Sequence, residues 1–459
     1  MLDTSRGASR KIRAIAFTTR TGHCQKVTLV PEFGVVNAID IDEQQFAPLI
    51  DLQWWQERPA DRAELYQHLR DAGGPVFVRT SRPDSPRVRG FWAVGSHRDV
   101  AQISRRPEDF CSGQGTQIFD QTAEMREYRG SIIDMDDPEH MRLRKIVSRG
   151  FTPRMLSEMR GLVEETTAEI LEEMPRSGEC DFVSSFATLL PLRIIDNMLG
   201  VPREHEQFIL HATNVVLGAS DPEYVPDQSI KGIETAVTET SEQLINLLKS
   251  IAEDRIASPR NDVISKLVTS DEENLTPQEL AKFFILLIGA GNETTRNALT
   301  HGLLILSAHP EQRDRLISDY DELASTAIEE ILRYASPVIH MRRTVTRDGV
   351  TLTDEQGEIT HTFNAGDKVV VWYPAANRDP AVFAEPELFD IARKPNNHIA
   401  FGGPGPHFCL GAHLARLELN VAFKMLYDRY PDITSAGEPV MLRSNFVNGI
   451  KHLKATYTP

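Results

Sequence analysis

The sequence predicts a mainly α-helical fold with small β-sheets at one side, and three observations lead there. From about residue 96 to 335 apolar residues recur mostly at helical spacing, with breaks at Pro138, Pro153, Pro202, Pro222 and Pro259. Runs rich in β-branched and aromatic residues are few and short. No repeat, low-complexity tract or long linker divides the 459 residues. One domain is therefore expected over 46–459, behind a partly disordered N-terminal extension, 1–45.

Within the first thirty residues Arg6, Arg10, Lys11, Arg13, Arg20 and Lys26 stand against Asp3 alone. This has the look of a transit peptide, but a disordered tail or a start codon called too early accounts for it better. Residues 59–72 read as a helix closed by glycine, and "PVFVRT" with "GFWAVGS" as a short hairpin. The run "FFILLIGAG" at 283–291 is bounded by Lys282 and Glu293, too short to span a bilayer, and reads as a core helix. A capping-box pattern, Thr326 to Glu329, predicts a helix that stops before Pro337. Strands return in "VTLTDEQGEITHTF" and "DKVVVWYP". A formal net charge of −16 argues against general nucleic-acid affinity. Cys24, Cys111, Cys180 and Cys409 form no CxxC pair, which fits a reducing, cytoplasmic setting better than a disulfide framework.

The stretch "PGPHFCLGAHLARLEL", 404–419, is the most unusual. Leu410, Leu414, Leu417, Val421 and Met425 recur at helical spacing, so a helix starts at or just beyond Cys409. Free N–H groups and the helix dipole there favour the thiolate. Gly403, Gly405 and Gly411 let the backbone pass close to something large and flat, and Pro404 and Pro406 stiffen it. A buried structural cysteine does not account for the glycine and proline density. A zinc site of His407, Cys409 and His413 lacks a nearby fourth ligand. An axial thiolate to haem iron accounts for both.

This loop resembles that of the haem-thiolate monooxygenases, the cytochrome P-450 superfamily, with pattern F-x-x-G-x-[RH]-x-C-x-G. Gly405, His407, Cys409 and Gly411 fall on their places, whereas Phe401 lies eight residues before the cysteine instead of seven. The resemblance implies a triangular helical prism around haem b (iron protoporphyrin IX) with Cys409 as axial ligand. It also makes Glu330, Arg333 and Arg393 a structural cluster on the cysteine side, and His140, Arg144, Arg343 and His407 the propionate holders.

In "FFILLIGAGNETTRNALTHG" two interior glycines weaken a helix by roughly 1 kcal/mol each, which calls for a reason such as space for a ligand. Thr294, four after Ala290, shares its face and could hydrogen-bond dioxygen and relay protons, with Glu293 as the acid connected to solvent. A glycine-kinked core helix with a back-bonding threonine is the plainer reading of that stretch alone. Ala290, Gly291, Asn292, Glu293, Thr294 and Thr295 also resemble the superfamily's [AG]-G-x-[DE]-T-[TS].

The expected activity is insertion of one oxygen atom from O2 into a C–H bond. The weaker alternatives are a peroxygenase and a non-catalytic haem-thiolate sensor. No flavin or nicotinamide fingerprint stands out, so electrons are expected from a ferredoxin and an NAD(P)H-dependent reductase. Arg142, Lys145 and Arg149, on one face of a helix, are the expected docking charges. Several segments look closest to actinobacterial enzymes that hydroxylate the terminal carbon of methyl-branched lipids and cholesterol-type side chains. An apolar pocket wall is expected from Val215, Val216 and Leu217, from Val338 and Ile339, and from Phe446 and Val447. A straight-chain alkane or a terpene is the alternative substrate.

Overall fold

A computed structural model describes residues 43–79, 90–120, 131–148, 153–260, 262–269 and 275–459. By its contacts the chain divides into Met1–Asp40 and Ile41–Pro459, and all the helices and strands named here belong to the second unit. The basic N-terminal stretch, Cys24 and Arg149 lie outside the described residues.

Helix α1 (Arg62–Asp71) begins three residues later than expected because Pro59–Asp61 form a 3-10 turn, and it ends ahead of Gly73 at φ +71°. The expected hairpin is present: β1 (Val76–Val78) runs antiparallel to β2 (Phe91–Val94), with Val76 opposite Ala93. With β3 (Phe110–Cys111), β5 (His340–Val345) and β8 (Lys368–Trp372) this hairpin makes a five-stranded sheet in the order β1-β2-β8-β5-β3. β8 lies parallel to β2 and antiparallel to β5. The hairpin of β6 (Val350–Thr353) and β7 (Ile359–Phe363) also forms as expected. Near the C-terminus β12 (Lys454–Thr456) joins β4 (Glu179–Asp181) to β9 (Thr434–Ser435), and β10 (Val440–Met441) pairs with β11 (Ile450–His452).

The helical body comprises α2 (His97–Arg105), α3 (Glu139–Val147), α4 (Pro153–Glu173), α5 (Leu189–Leu199), α6 (Glu206–Gly218) and α7 (Ile230–Ala257). It continues through α8 (Pro277–Ala308), α9 (Tyr320–Ala335) and α10 (Ala412–Arg429). α8, about 48 Å long at 1.5 Å per residue, is the axis against which α5, α6, α7, α9 and α10 pack. Its start is secured by a capping box: Thr276 accepts from the Glu279 N–H while the Glu279 carboxylate accepts from the Thr276 N–H, with Pro277 at the first turn.

The capping box expected at Thr326 is absent. α9 begins at Tyr320, and Thr326 inside it donates its hydroxyl back to the Leu323 carbonyl at 3.0 Å. Leu323 and Ala324 carry the apolar face upstream, so the chain is already helical where the pattern suggested a start. The helix does stop before Pro337, at Ser336 in the left-handed region (φ 41°). No described helix is long and apolar enough to cross a membrane.

Candidate active site

The cysteine loop joins the sheet side of the molecule to α10. Cys409 lies three residues before Ala412, where α10 begins, and its N–H donates to the Phe401 carbonyl at 3.0 Å. Phe401 thus meets the cysteine through its backbone, and its ring is covered by Arg416, whose guanidinium carbon lies 4.4 Å from the ring centre. Burial pushes the Cys409 thiol up, while the Gly411 N–H, Arg144 and Arg416 favour the thiolate. Not every loop glycine faces open space. A methyl on Gly403 or Gly405 would run into Ser104 at the end of α2, so these two set loop-to-helix packing. Around a methyl on Gly411, by contrast, there is nothing within 4 Å.

Behind this loop the Glu330 carboxylate accepts from Arg333 at 2.7 Å on both oxygens, from Arg393 at 3.1 Å, from Asn396 at 3.0 Å and from the Asp390 N–H at 3.0 Å. Arg333 also donates to the carbonyls of Asn377, Pro386 and Leu388, tying α9 to the chain leading into the loop. A neighbouring cluster went unread in the sequence. Glu329 accepts from Arg416 and His398, and against the upward push of burial those partners carry its carboxyl down to about 2. The distances along the chain, 69 and 87 residues, left no local pattern to find it by.

Four groups with basic nitrogens gather on the other flank of the cysteine. The rings of His140 and His407 lie 4.2 Å apart, and Arg144 donates to the Phe408 carbonyl at 2.6 Å. Arg343 donates to the Arg342 carbonyl at 2.8 Å. Burial, followed by Arg343, His140 and Arg144, holds His407 down to about 3. His140 reaches Asp137 through Nδ1 at 3.3 Å, while its Nε2 is buried with no hydrogen-bond partner. Ser112, which the sequence did not single out, meets His407 Nε2 at 3.2 Å. A buried orphan nitrogen on an imidazole beside two guanidiniums is a place for anions, and two carboxylates on one flat group suit it.

The candidate residues Ala290, Gly291, Glu293 and Thr294 lie on α8. Most of its residues from Leu280 to Leu306 are buried, yet Ala290 at its centre is exposed and Gly291 and Thr294 are half-buried. An accessible stripe in a walled-in helix is the lining of an internal cavity. Thr294 Oγ1 donates to the Ala290 carbonyl at 2.6 Å, which holds the hydroxyl on that stripe. Glu293 departs from expectation: it is 1% exposed, and its carboxylate accepts from Arg296 and, at 2.9 Å, from Asn297. It has no direct path to solvent, because the same turn of helix that presents Thr294 to the cavity turns residue 293 into the protein.

The seven expected wall residues separate. Val216, Leu217, Val338 and Phe446 keep accessible area, as the lining of an open space must. Val215 is buried in a small cluster with Val225 and Val237, Ile339 in the cluster of Trp55 and Trp372, and Val447 pairs as an isolated bridge with Val338. These three have committed their surface to the core and are removed from the wall. Among the docking charges Lys145 is exposed, but Arg142 is paired with Glu139 and Glu279, so it is not the open charge expected of it.

The donor set fits haem: one half-buried sulfur, four basic side chains for two propionates, and an accessible strip of small residues on α8. Cys409 would bind the iron, and His140, Arg144, Arg343 and His407 would hold the propionates.

Comparison with known proteins agrees with this geometry. The Cytochrome P-450 family profile matches residues 64–445. The methyl-branched lipid omega-hydroxylase of Mycobacterium tuberculosis is 46% identical over 374 residues, covering 80% of this chain and 84% of that protein. The steroid C26-monooxygenase of Rhodococcus jostii is 37% identical over 389 residues, covering 82% and 78%. Among solved structures, a Mycobacterium marinum cytochrome P-450 in complex with pseudoionone superposes with a TM-score of 0.81 at 35% identity, covering 88% of this chain and 97% of that one.

Proposed function

This chain belongs to the cytochrome P-450 family and is a haem-thiolate monooxygenase, and we propose that it hydroxylates the terminal carbon of a methyl-branched fatty acid, an isoprenoid or a sterol side chain. When bound, haem supplies oxygen activation, so that the substrate C–H, O2, two electrons and two protons become an alcohol and water. The observation that carries the reading is the accessible Ala290–Thr294 stripe with apolar neighbours. Val216, Leu217, Val338 and Phe446 offer no charge, so a long apolar chain is held by area, at roughly 25 cal/mol per Å² buried. Leu217 lies against α8 at Gly289, with its Cδ1 3.5 Å from where a methyl on that glycine would stand. In this reading Leu217 restricts the approach along α8, so that a chain end is presented rather than a mid-chain carbon, as primary C–H chemistry requires. Thr294 orients a hydroxyl into the cavity and moves protons, and Glu293 is the acid behind it.

Residues 46–459 act as one catalytic domain in this scheme. Lys145 on α3, beside the exposed Met141 and near the exposed Phe408, forms the face for an acidic ferredoxin that receives its electrons from an NAD(P)H-dependent reductase. In this reading the protein works in the cytoplasm, where such partners operate.

Incubation with a methyl-branched fatty acid, a sterol enone and a terpene, followed by mass spectrometry, tests the substrate. Terminal alcohols from the first two are expected. Turnover of the terpene alone, or oxidation confined to mid-chain carbons, would refute it.

A further inference from the structure

The buried acid Glu293 is held by a chain of contacts that oxygen insertion does not in itself require. On α8 its carboxylate accepts from Arg296, one turn on, and from Asn297 Nδ2 at 2.9 Å. Asn297 is fixed in turn by β11, whose Ile450 N–H donates to its Oδ1 at 3.0 Å. Arg296 is fixed by a different element. Its Nη1 donates at 3.0 Å to Asn214 Oδ1 on α6, 82 residues away. Its Nε is buried with no hydrogen-bond partner.

An ion pair built only for stability would be expected to satisfy every guanidinium nitrogen, since a buried pair contributes little net stability even when well made. Here the guanidinium keeps an open nitrogen and rests on Glu293 and on one neutral carboxamide. What this arrangement does supply is direction. With Asn214 in place the guanidinium has one orientation, and so has the carboxylate beside it. α6 also carries Val216 and Leu217, two residues of the proposed pocket wall.

We propose that Asn214 and Arg296 are positioning residues for proton delivery: Asn214 sets the Arg296 guanidinium, which sets the Glu293 carboxylate behind Thr294, so that the wall of the substrate pocket and the acid share one helix. This rests on Glu293 being the acid. Neither residue touches substrate or haem in this scheme. Asn214 acts through Arg296, and Arg296 through Glu293.

The test uses the haem-loaded enzyme with its ferredoxin system and a methyl-branched fatty acid. Asn214→Leu keeps the branched side-chain shape and removes the acceptor. Asn214→Asp keeps an Oδ for Arg296. Product formed per NAD(P)H, hydrogen peroxide released, substrate affinity by spectral titration and urea stability are measured for both, and a crystal structure of Asn214→Leu reports where Glu293 points. Asn214→Leu is expected to lower product per NAD(P)H about two- to tenfold, with peroxide rising in step, a displaced Glu293 carboxylate and affinity changed less than coupling. Asn214→Asp is expected to restore coupling. Unchanged coupling in Asn214→Leu, or affinity, stability and coupling falling in parallel, overturns the proposal. Glu293→Gln separates the two levels: if it uncouples and Asn214→Leu does not, only the tether fails, whereas normal coupling in Glu293→Gln removes the acid and the tether together.

Discussion

Glu418 offers a quantitative check on the packing around the cysteine helix. It lies in α10, 2% exposed, and its Oε2 has no hydrogen-bond partner. Burial pushes its carboxyl up from the ordinary 4.5 to about 8. Below pH 4.5 the folded and unfolded chains both carry the proton, and the ionisation equilibrium contributes nothing to stability. Between 4.5 and about 8 the unfolded chain releases it and the folded chain keeps it, so stability falls by about 1.4 kcal/mol per pH unit. That amounts to about 3 kcal/mol at pH 7 and about 5 kcal/mol above pH 8, a large part of the 5–15 kcal/mol typical of a folded domain. Glu418→Gln removes the ionisation at nearly constant shape. Urea unfolding of both proteins from pH 5.5 to 8.5 should show the variant gaining on the parent by about 1.4 kcal/mol per unit and levelling near pH 8. A difference independent of pH, or none at pH 8, would show that Glu418 ionises in the folded protein and refute the reasoning.

Removing the ligand by Cys409→Ser should abolish activity and the thiolate-type carbonyl spectrum of the reduced protein. An unaltered spectrum would overturn the assignment. Thr294→Ala should keep substrate binding and haem reduction while diverting electrons to hydrogen peroxide, read as product per NAD(P)H; normal coupling would count against the relay. Lys145→Glu should raise the ferredoxin concentration needed for half-maximal rate, more at low salt than at high salt, and an unchanged value would remove α3 from the docking face. In Gly302→Ala the new methyl would overlap the ring edge of Phe423, where α8 meets α10. The gain of roughly 1 kcal/mol in helix propensity should then be outweighed by an overpacking cost of about 1–3 kcal/mol, measurable as a lower urea midpoint.

How far a residue's role could be read from the sequence depends on how far away its partners lie. The cysteine loop was legible because its signals are neighbours along the chain: glycines and prolines bend a backbone locally, whatever surrounds it. The ion pair of Glu330 with Arg333 was legible for the same reason, being three apart on one helix. Thr326 shows the weakness of a local rule used alone. Its spacing to Glu329 matches a capping box, but any amphipathic helix can carry that spacing, and only the continuation of the apolar face to Tyr320 decides between a start and an interior. The true box at Thr276 has the same four-residue form.

The pocket wall exposes a different limit. Val215 and Val216 are adjacent, identical and on one helix, yet one fills a cluster with Val237 and the other keeps accessible surface. Hydrophobicity specifies that both leave water, not what each leaves it for, since a core and a substrate reward the same side chain alike. Polar residues carry more information once their partners are known. Asn214 is unremarkable in the sequence, and so is Arg296, but a carboxamide and a guanidinium must find complementary groups when buried, and the groups they find bind α6 to the acid of α8. The apolar positions of such an enzyme therefore determine how it folds around a greasy substrate, while the sparse polar contacts between distant segments determine how the filled pocket is connected to the chemistry.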